Sequence, residues 1–431
     1  MTTLFHSTLS TSNVASESVA TITLQDAQSE HAVRKFEHGS FQASGSSTSD
    51  HDAVCGTGPL MAEEADRSDR SSSGGRAYNT HAIVDFPHQS LISFIDPNLE
   101  IAMSVGGPRI KLNNGAEIPA IGLGTWQSKP GEVEEAVAYA IKEVGYRHID
   151  CAWAYGNEKE VGEGIRASGI PRSEIFVSIY FTSVNWIPYG YGITSKLWGT
   201  WHSRVEECLD QTLANLGTDY LDLYLVHWPV PLNPKGNHPL FPLLPNGKRD
   251  VDHSWDLRDT WKQMEAVLKK GKVKTIGVSN FSEAKLEEIL PTAEIVPAVD
   301  QLELHVYNPQ HKLVTYLKSK GIVPQAYSPL GSTNSPLVAD EEVVKVAAKH
   351  GLQPVDVLVG YLIAKGIVAL PKSVTPARIS SNFTGALSAA EKLEPADIEN
   401  LDGLAAAGKQ KRFITPPWPV ELGFEHWPQL L

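Results

Sequence analysis

The sequence predicts a closed (β/α)8 barrel of the TIM type, entered through an N-terminal β-hairpin and preceded by a disordered extension. Three observations carry this expectation. Strand and helix signals alternate from Gly106 to the end of the chain. They make up eight strand–helix units in about 320 residues, the count such a barrel needs. No Gly-x-Gly-x-x-Gly follows a strand and opens a helix. Gly122-Leu-Gly124-Thr-Trp126 lacks the third glycine and has a tryptophan where a phosphate would need room. A doubly wound sheet is the alternative, because alternation alone does not show closure.

Residues 1–104 differ from the rest. They hold 13 acids and 5 bases, so −8 of the formal charge of −13 lies there. Ser44–Asp50 and Ser71–Gly75 dominate the middle of this stretch. Such composition buries too little apolar surface to offset chain entropy, which predicts a disordered low-complexity extension. A regulatory or targeting arm is the functional alternative, and an over-long start before Met103 the bland one. Met1–Ala20 has no basic region followed by an apolar core, so no secretory signal is expected.

Residues 105–431 form the expected barrel domain. Ile110–Pro119, with Asn114-Gly115 at its centre, reads as the hairpin. Buried-strand runs follow at Ala120–Thr125, Tyr146–Ala152, Leu221–His227, Thr275–Asn280, Ala298–His305, Pro324–Leu330 and Val368–Lys372. One more strand must fall between Ile175 and Leu197. The expected helices are Glu132–Val144, Glu158–Ala167, His202–Leu216, Leu257–Lys270 and Glu283–Leu290, then Gln310–Lys320, Glu341–His350, Val355–Lys365 and Ala377–Leu387. In the first of them Val133, Ala136, Val137, Ala140 and Ile141 share one face.

The active site of such a barrel lies at the C-terminal ends of its strands. Those ends carry Asp150 and Tyr155, Lys196, His227, Ser279 and Asn280, Gln301, Tyr327 and Ser328, and Lys372 and Ser373. A polar residue ending one strand is ordinary, but seven such strands in one chain are not. Asp, Tyr, Lys and His together suggest proton donation. A phenol titrates near 10, and an adjacent ammonium brings that value down. A carboxylate keeps the lysine charged, and an imidazole can hold a carbonyl oxygen in line. Neither a nucleophile motif nor a metal-ligand cluster is present, so no metal is expected.

Leu370–Asn382 offers an anion site. Lys372 ends the last strand, Arg378 and Asn382 lie one turn apart on the next helix, and Ser373 and Thr375 add hydroxyls at its start. Two fixed cations suit a phosphate monoester. An ordinary solvated helix start is the competing reading.

At these residues the sequence resembles the aldo-keto reductase superfamily, and the resemblance covers residues 108–428. It rests on Gly145-Tyr-Arg-His-Ile-Asp-Cys-Ala-Trp-Ala-Tyr155-Gly-Asn-Glu158, Thr194-Ser-Lys196-Leu-Trp198, Leu225-Val-His227-Trp-Pro229, Gly277-Val-Ser-Asn-Phe281 and Leu370-Pro-Lys-Ser373. It implies a barrel that uses NADPH without a Rossmann domain to reduce aldehydes and ketones. The chain looks most like enzymes of the glycerol dehydrogenase, glyceraldehyde reductase and aldose reductase type.

The resemblance also implies residue roles. Tyr155 is the general acid, Lys196 and Asp150 lower its pKa, and His227 orients the carbonyl. Tyr327 stacks on the nicotinamide, whose carboxamide binds Ser279, Asn280 and Gln301. Lys372, Ser373, Thr375 and Arg378 hold the 2′-phosphate, which selects NADPH over NADH, and Asn382 meets the adenine. Ser328, Leu330 and Ser332 lie along the pyrophosphate, and Thr125 joins the coenzyme residues. Trp126, Trp198, Trp228 and His227 line the substrate mouth, with Phe413, Trp418 and Trp427 as an apolar rim. The loop from Gly331 to Glu341 is shorter than the lid of animal aldose reductases, which implies fast coenzyme release.

One departure stands out. In the family the third strand runs directly into its lysine motif, whereas here residues 178–193 separate Ile175-Phe-Val177 from Thr194-Ser-Lys196. This aromatic-rich, uncharged insert reads as translated intron sequence. If it is retained, Tyr191–Lys196 takes over the strand and Lys196 keeps its place, or Ile175–Phe181 takes it and Lys196 is displaced. An NADPH-binding regulatory barrel with little turnover, or an inactive product of the insert, are the alternatives to an active reductase.

The net acidic charge argues against nucleic-acid or membrane-surface partners. No run of eighteen apolar residues predicts a membrane span. Cys55, Cys151 and Cys208 are odd in number and scattered, pointing to a reducing compartment and a cytoplasmic protein. The expected partner is a small carbonyl compound, and the expected state a monomer.

Overall fold

The computed structural model of the chain describes residues 105–129, 131–172 and 192–427. The predicted extension over 1–104 and the insert stretch 178–191 lie outside these residues. Two short strands, β1 (Arg109–Lys111) and β2 (Glu117–Pro119), pair antiparallel with Ile110 opposite Ile118. Their turn closes where Gly115 takes φ 85°, as the Asn-Gly signal requires.

Eight strands follow: β3 (Leu123–Gly124), β4 (His148–Asp150), β5 (Gly192–Leu197), β6 (Leu223–Val226), β7 (Ile276–Ser279), β8 (Val299–Glu303), β9 (Val323–Tyr327) and β10 (Val368–Leu370). Each pairs in parallel with the next. The ring closes because the last strand returns to the first, with parallel bridges joining Ile121 to Ala369 and Gly124 to Lys372. There the Gly122 N–H donates to the Ala369 carbonyl at 2.9 Å and the Gly124 N–H to the Pro371 carbonyl at 3.1 Å. The architecture is the barrel, not the doubly wound sheet.

The third strand answers the question raised by the insert. β5 is built from Gly192–Leu197, so Gly192 and Ile193 serve as strand residues. Its register pairs Asp150 with Thr194 and Lys196 with Leu225. Lys196 therefore keeps its place.

The outer helices are α1 (Glu132–Tyr139), α2 (Glu158–Ala167), α3 (Val205–Leu216), α4 (Leu257–Lys269), α5 (Glu283–Ile289), α6 (His311–Ser319), α7 (Glu341–His350), α8 (Pro354–Ala364), α9 (Pro376–Lys392) and α10 (Pro395–Asp402). In α1 the buried residues are Val133, Ala136 and Val137, the face that the 3.6-residue period selects. α8 is buried from Asp356 to Ile363 and lies directly against α9. A Cβ on Gly360 would sit 2.5 Å from Ala389 Cβ, so only glycine permits this approach. The contact fixes the height of α9, whose start carries the candidate phosphate donors.

The hairpin plugs the floor of the barrel. Leu112 and Ile118 pack with Leu223, Leu225, Val299, Val368 and Leu370. Asn114 Nδ2 donates to Thr275 Oγ1 at 3.0 Å and Asn113 Nδ2 to the Pro297 carbonyl at 3.0 Å, pinning the plug. The opposite end is left open for chemistry.

Candidate active site

Asp150 ends β4, and two residues of β5 beyond its register partner stands Lys196, wholly buried. An ammonium has three donors, and all three are spent. Lys196 Nζ donates to Asp150 Oδ2 at 2.7 Å, to the Cys151 carbonyl at 2.9 Å and to the Tyr155 hydroxyl at 3.3 Å. Tyr155 reaches this point from the short 3-10 turn Trp153–Tyr155, which Gly156 ends at φ 68°. Thr125, just after β3, donates through Oγ1 to the Asp150 carbonyl at 2.9 Å.

Charge balance follows from burial. Asp150 holds the Lys196 ammonium above its ordinary value although burial pulls the other way. The Tyr155 phenol is pushed up to about 12, because burial outweighs the lowering by Lys196. This corrects the expected role of Asp150. Its negative charge raises the phenol's pKa, and it assists only by keeping Lys196 charged and in place. The net effect is a phenol that stays protonated at neutral pH.

His227 follows β6, its N–H donating to the Leu197 carbonyl at 3.0 Å. Its ring meets Tyr155 edge-on at 5.7 Å between centroids and Trp198 at 5.2 Å. Burial first, and then Lys196, hold its pKa well below the usual histidine range, so the imidazole is neutral. Its Nδ1 is buried without a hydrogen-bond partner.

The expected mouth residues separate into two groups. Trp198 meets Phe241 and Trp418, and Trp228 meets Trp418 and Trp427, in one continuous aromatic wall. Trp198 and Trp228 are buried, and Trp198 Nε1 is satisfied by the Leu240 carbonyl at 2.7 Å. Trp126 is 40% exposed and, among the described residues, stacks on no other ring. Phe413 instead packs on His305, at 5.2 Å.

The residues expected around a nicotinamide are wired to one another. Tyr327 donates to Asn280 Oδ1 at 2.8 Å, and Asn280 Nδ2 donates to the His227 carbonyl at 2.9 Å and to Ser279 Oγ at 3.0 Å. Ser279 Oγ donates to the Gln301 carbonyl at 2.8 Å. Gln301 Nε2 reaches across the barrel to Asp150 Oδ1 at 2.8 Å and also to Gln325 Oε1 at 3.0 Å. Asn280 (φ 62°) and Ser328 (φ 50°) adopt left-handed backbone, a strain that neither residue relieves as glycine would. Strand-end reading missed Gln325, although it sits beside Gln301 in the register of β8 and β9.

At the barrel seam Lys372 and Arg378 are exposed, and neither forms an ion pair among the described residues. Burial lowers the Lys372 pKa, and Glu132 offsets this in part. Ser373 is buried and accepts the Thr375 N–H at 3.1 Å, shaping the start of α9, where Asn382 is also buried. Two uncommitted cations with hydroxyls at the N-terminus of a 17-residue helix fit a phosphate monoester. Leu330 and Ser332 lie partly buried on the loop after β9. Among the described residues no cluster of His, Cys, Asp or Glu could hold a metal.

Sequence reading also missed Glu303 and Arg412. Glu303 ends β8, wholly buried, two residues beyond Gln301 and so on the same strand face. Period-two alternation could have flagged it. Arg412 has no such local signal.

Comparison with known proteins follows the same geometry. The profile described as "Aldo/keto reductase family" matches residues 120–406. The chain is 49% identical over 326 residues to a protein of Hypocrea jecorina named D-galacturonate reductase, covering 73% of this chain and 97% of that one. It is 42% identical over 324 residues to glycerol 2-dehydrogenase (NADP(+)) of Saccharomyces cerevisiae, covering 73% and 96%. The solved aldose reductase from Schistosoma japonicum superposes with a TM-score of 0.63 at 39% identity, covering 72% of this chain and 95% of that one.

Proposed function

Because this chain belongs to the aldo/keto reductase family, we propose that it is an NADPH-dependent reductase of small aldehydes and ketones, sugar-derived carbonyls such as glyceraldehyde among them. The observation that carries the proposal is the Lys196 ammonium bridging Asp150 and the Tyr155 hydroxyl. The names of the two fungal relatives, a D-galacturonate reductase and a glycerol 2-dehydrogenase (NADP(+)), support polyhydroxylated substrates and NADPH as coenzyme.

Lys372, Arg378, Ser373 and Thr375 would hold the 2′-phosphate, with Asn382 at the adenine. Ser279, Asn280, Gln301 and Tyr327 would hold the nicotinamide, with Thr125, Ser328, Leu330 and Ser332 between. Bound NADPH supplies a hydride for the carbonyl carbon. Tyr155 gives its proton to the carbonyl oxygen, which completes the alcohol. The phenolate left behind is stabilised by Lys196 at 3.3 Å and takes a proton back from solvent. The neutral imidazole of His227 offers one N–H to the same oxygen, fixing its orientation toward Tyr155. The Trp198, Trp228, Trp418 and Trp427 wall keeps water from the reacting pair. Cys151 and Cys208, buried and free, suit a reducing compartment such as the cytoplasm.

Mixing the protein with NADPH should quench tryptophan fluorescence, and adding glyceraldehyde should consume the reduced nicotinamide absorbance. Binding without consumption would favour a regulatory barrel, and neither signal would defeat the proposal.

A further inference from the structure

The buried carboxylate of Glu303 holds the tail of the chain at the barrel mouth. Glu303 Oε1 accepts the Phe413 N–H at 2.6 Å and faces His305 Nε2 at 3.0 Å, and Oε2 accepts the Ile414 N–H at 2.9 Å. The Arg412 guanidinium lies 3.9 Å away, over the rings of Phe424 and Trp427. The ties extend along the tail. Lys411 N–H donates to the Tyr307 carbonyl at 2.9 Å and Gln410 Nε2 to Asn308 Oδ1 at 2.9 Å. Lys409 Nζ and the Tyr307 hydroxyl both donate to Asp340 Oδ2, each at 2.5 Å.

This strap runs past the loop that follows β9. Gly331 stands at φ 75°, and a Cβ there would lie 2.2 Å from Ser335 Oγ and 3.1 Å from Phe413 Cε2, so the loop packs on its own Ser335 on one side and beside the phenyl ring on the other. The same loop carries Leu330 and Ser332, assigned above to the pyrophosphate. The tail ring supplies a brace from outside the loop. Burying a carboxylate in full costs several kcal/mol unless its lone pairs are filled. Here two backbone N–H groups and an imidazole fill them, and both N–H groups belong to the tail.

We propose that Glu303 is a positioning residue: its buried carboxylate seats Phe413 against the Gly331 loop and so slows release of the bound dinucleotide. The inference rests on the coenzyme reading given under Proposed function. Glu303 acts through the tail ring, because its carboxylate is bonded to the Phe413 and Ile414 N–H groups.

The test is the dissociation rate of NADPH, followed by tryptophan fluorescence in stopped flow, in the full-length wild type, Glu303→Gln, Phe413→Ala and the double variant. Glutamine keeps the volume but turns an N–H toward one of the tail N–H groups. Each single change should raise the dissociation rate about tenfold, while kcat/KM for glyceraldehyde stays within about twofold in Glu303→Gln. The double variant should release NADPH no faster than the single ones, because both act through one ring. Additive effects in the double variant, or an unchanged rate in Phe413→Ala, would overturn the inference. If Glu303→Gln fails to fold, Phe413→Ala alone decides. A wild type that binds no NADPH would overturn the coenzyme reading itself, and this inference with it.

Discussion

The Lys196 ammonium stands 3.3 Å from the Tyr155 hydroxyl, and Asp150 and the Cys151 carbonyl take its other two donors. Nothing is left for Lys196 to bind elsewhere, so its charge is committed to the phenol. Burial pushes that phenol up to about 12, and Lys196 opposes the rise. A general acid must be protonated to act, so activity is full below its pKa and is lost as pH rises through it. Reductive kcat/KM should therefore be level from about pH 6 to about pH 9, with no inflection from His227, which stays neutral. A drop centred near the ordinary histidine value would contradict this assignment.

Arg378 tests coenzyme choice. It is exposed and makes no ion pair among the described residues, so its removal should leave the fold intact. Arg378→Ala should weaken NADPH binding about tenfold or more and leave NADH binding nearly unchanged, as loss of one charge-assisted phosphate contact requires. Equal loss for both coenzymes in a fluorescence titration would remove Arg378 from the phosphate site.

Asp300 tests the electrostatics of the wall. Its two carboxylate oxygens are buried without hydrogen-bond partners, and burial raises its pKa well above the ordinary range. A raised folded-state pKa means the folded protein holds the proton more tightly than the unfolded chain. The stability it contributes is complete below the unfolded value near 4 and is lost as pH rises toward the folded one. Asp300→Asn should flatten this slope and make the protein about 1–3 kcal/mol more stable near pH 7. Denaturant titrations at several pH values check it, and parallel curves for the two proteins would contradict it.

The strand that carries Lys196 leads to a third variant. Deleting residues 178–193 joins Val177 to Thr194, placing Phe176 and Val177 where Gly192 and Ile193 stand in β5. Among the described residues a Cβ at Gly192 meets only Asp222 Cβ, at 3.7 Å, so a Cβ there is tolerated. The shortened protein should fold and keep its reductase activity. Loss of folding would show that the insert is needed, and a mature transcript lacking it would show that it is an intron.

The barrel was legible because buried strands are dense apolar runs and the period of the intervening helices differs from theirs. The expected runs overshoot the ladders: the apolar run covers Tyr146–Ala152 and β4 spans His148–Asp150, because only these three residues find partners in a neighbouring strand. α10 escapes the sequence reading, since eight residues, half of them polar, are too few to show a period. That Asp150, Tyr155, Lys196 and His227 would meet was legible from strand ends. The cross-barrel pair of Gln301 with Asp150 and the hold of Glu303 on Phe413 were not, because each joins residues more than a hundred positions apart. The direction of the Tyr155 shift was also hidden, since burial cannot be weighed against charge until depth is known.

Single-turnover oxidation of bound NADPH by glyceraldehyde, compared between wild type and Tyr155→Phe, is the most direct test of proton donation. The variant should bind NADPH with unchanged affinity and turn over about 10²–10⁴ times more slowly, the contribution of a positioned acid. Turnover close to wild type with a phenylalanine at this position would show that the proton comes from elsewhere.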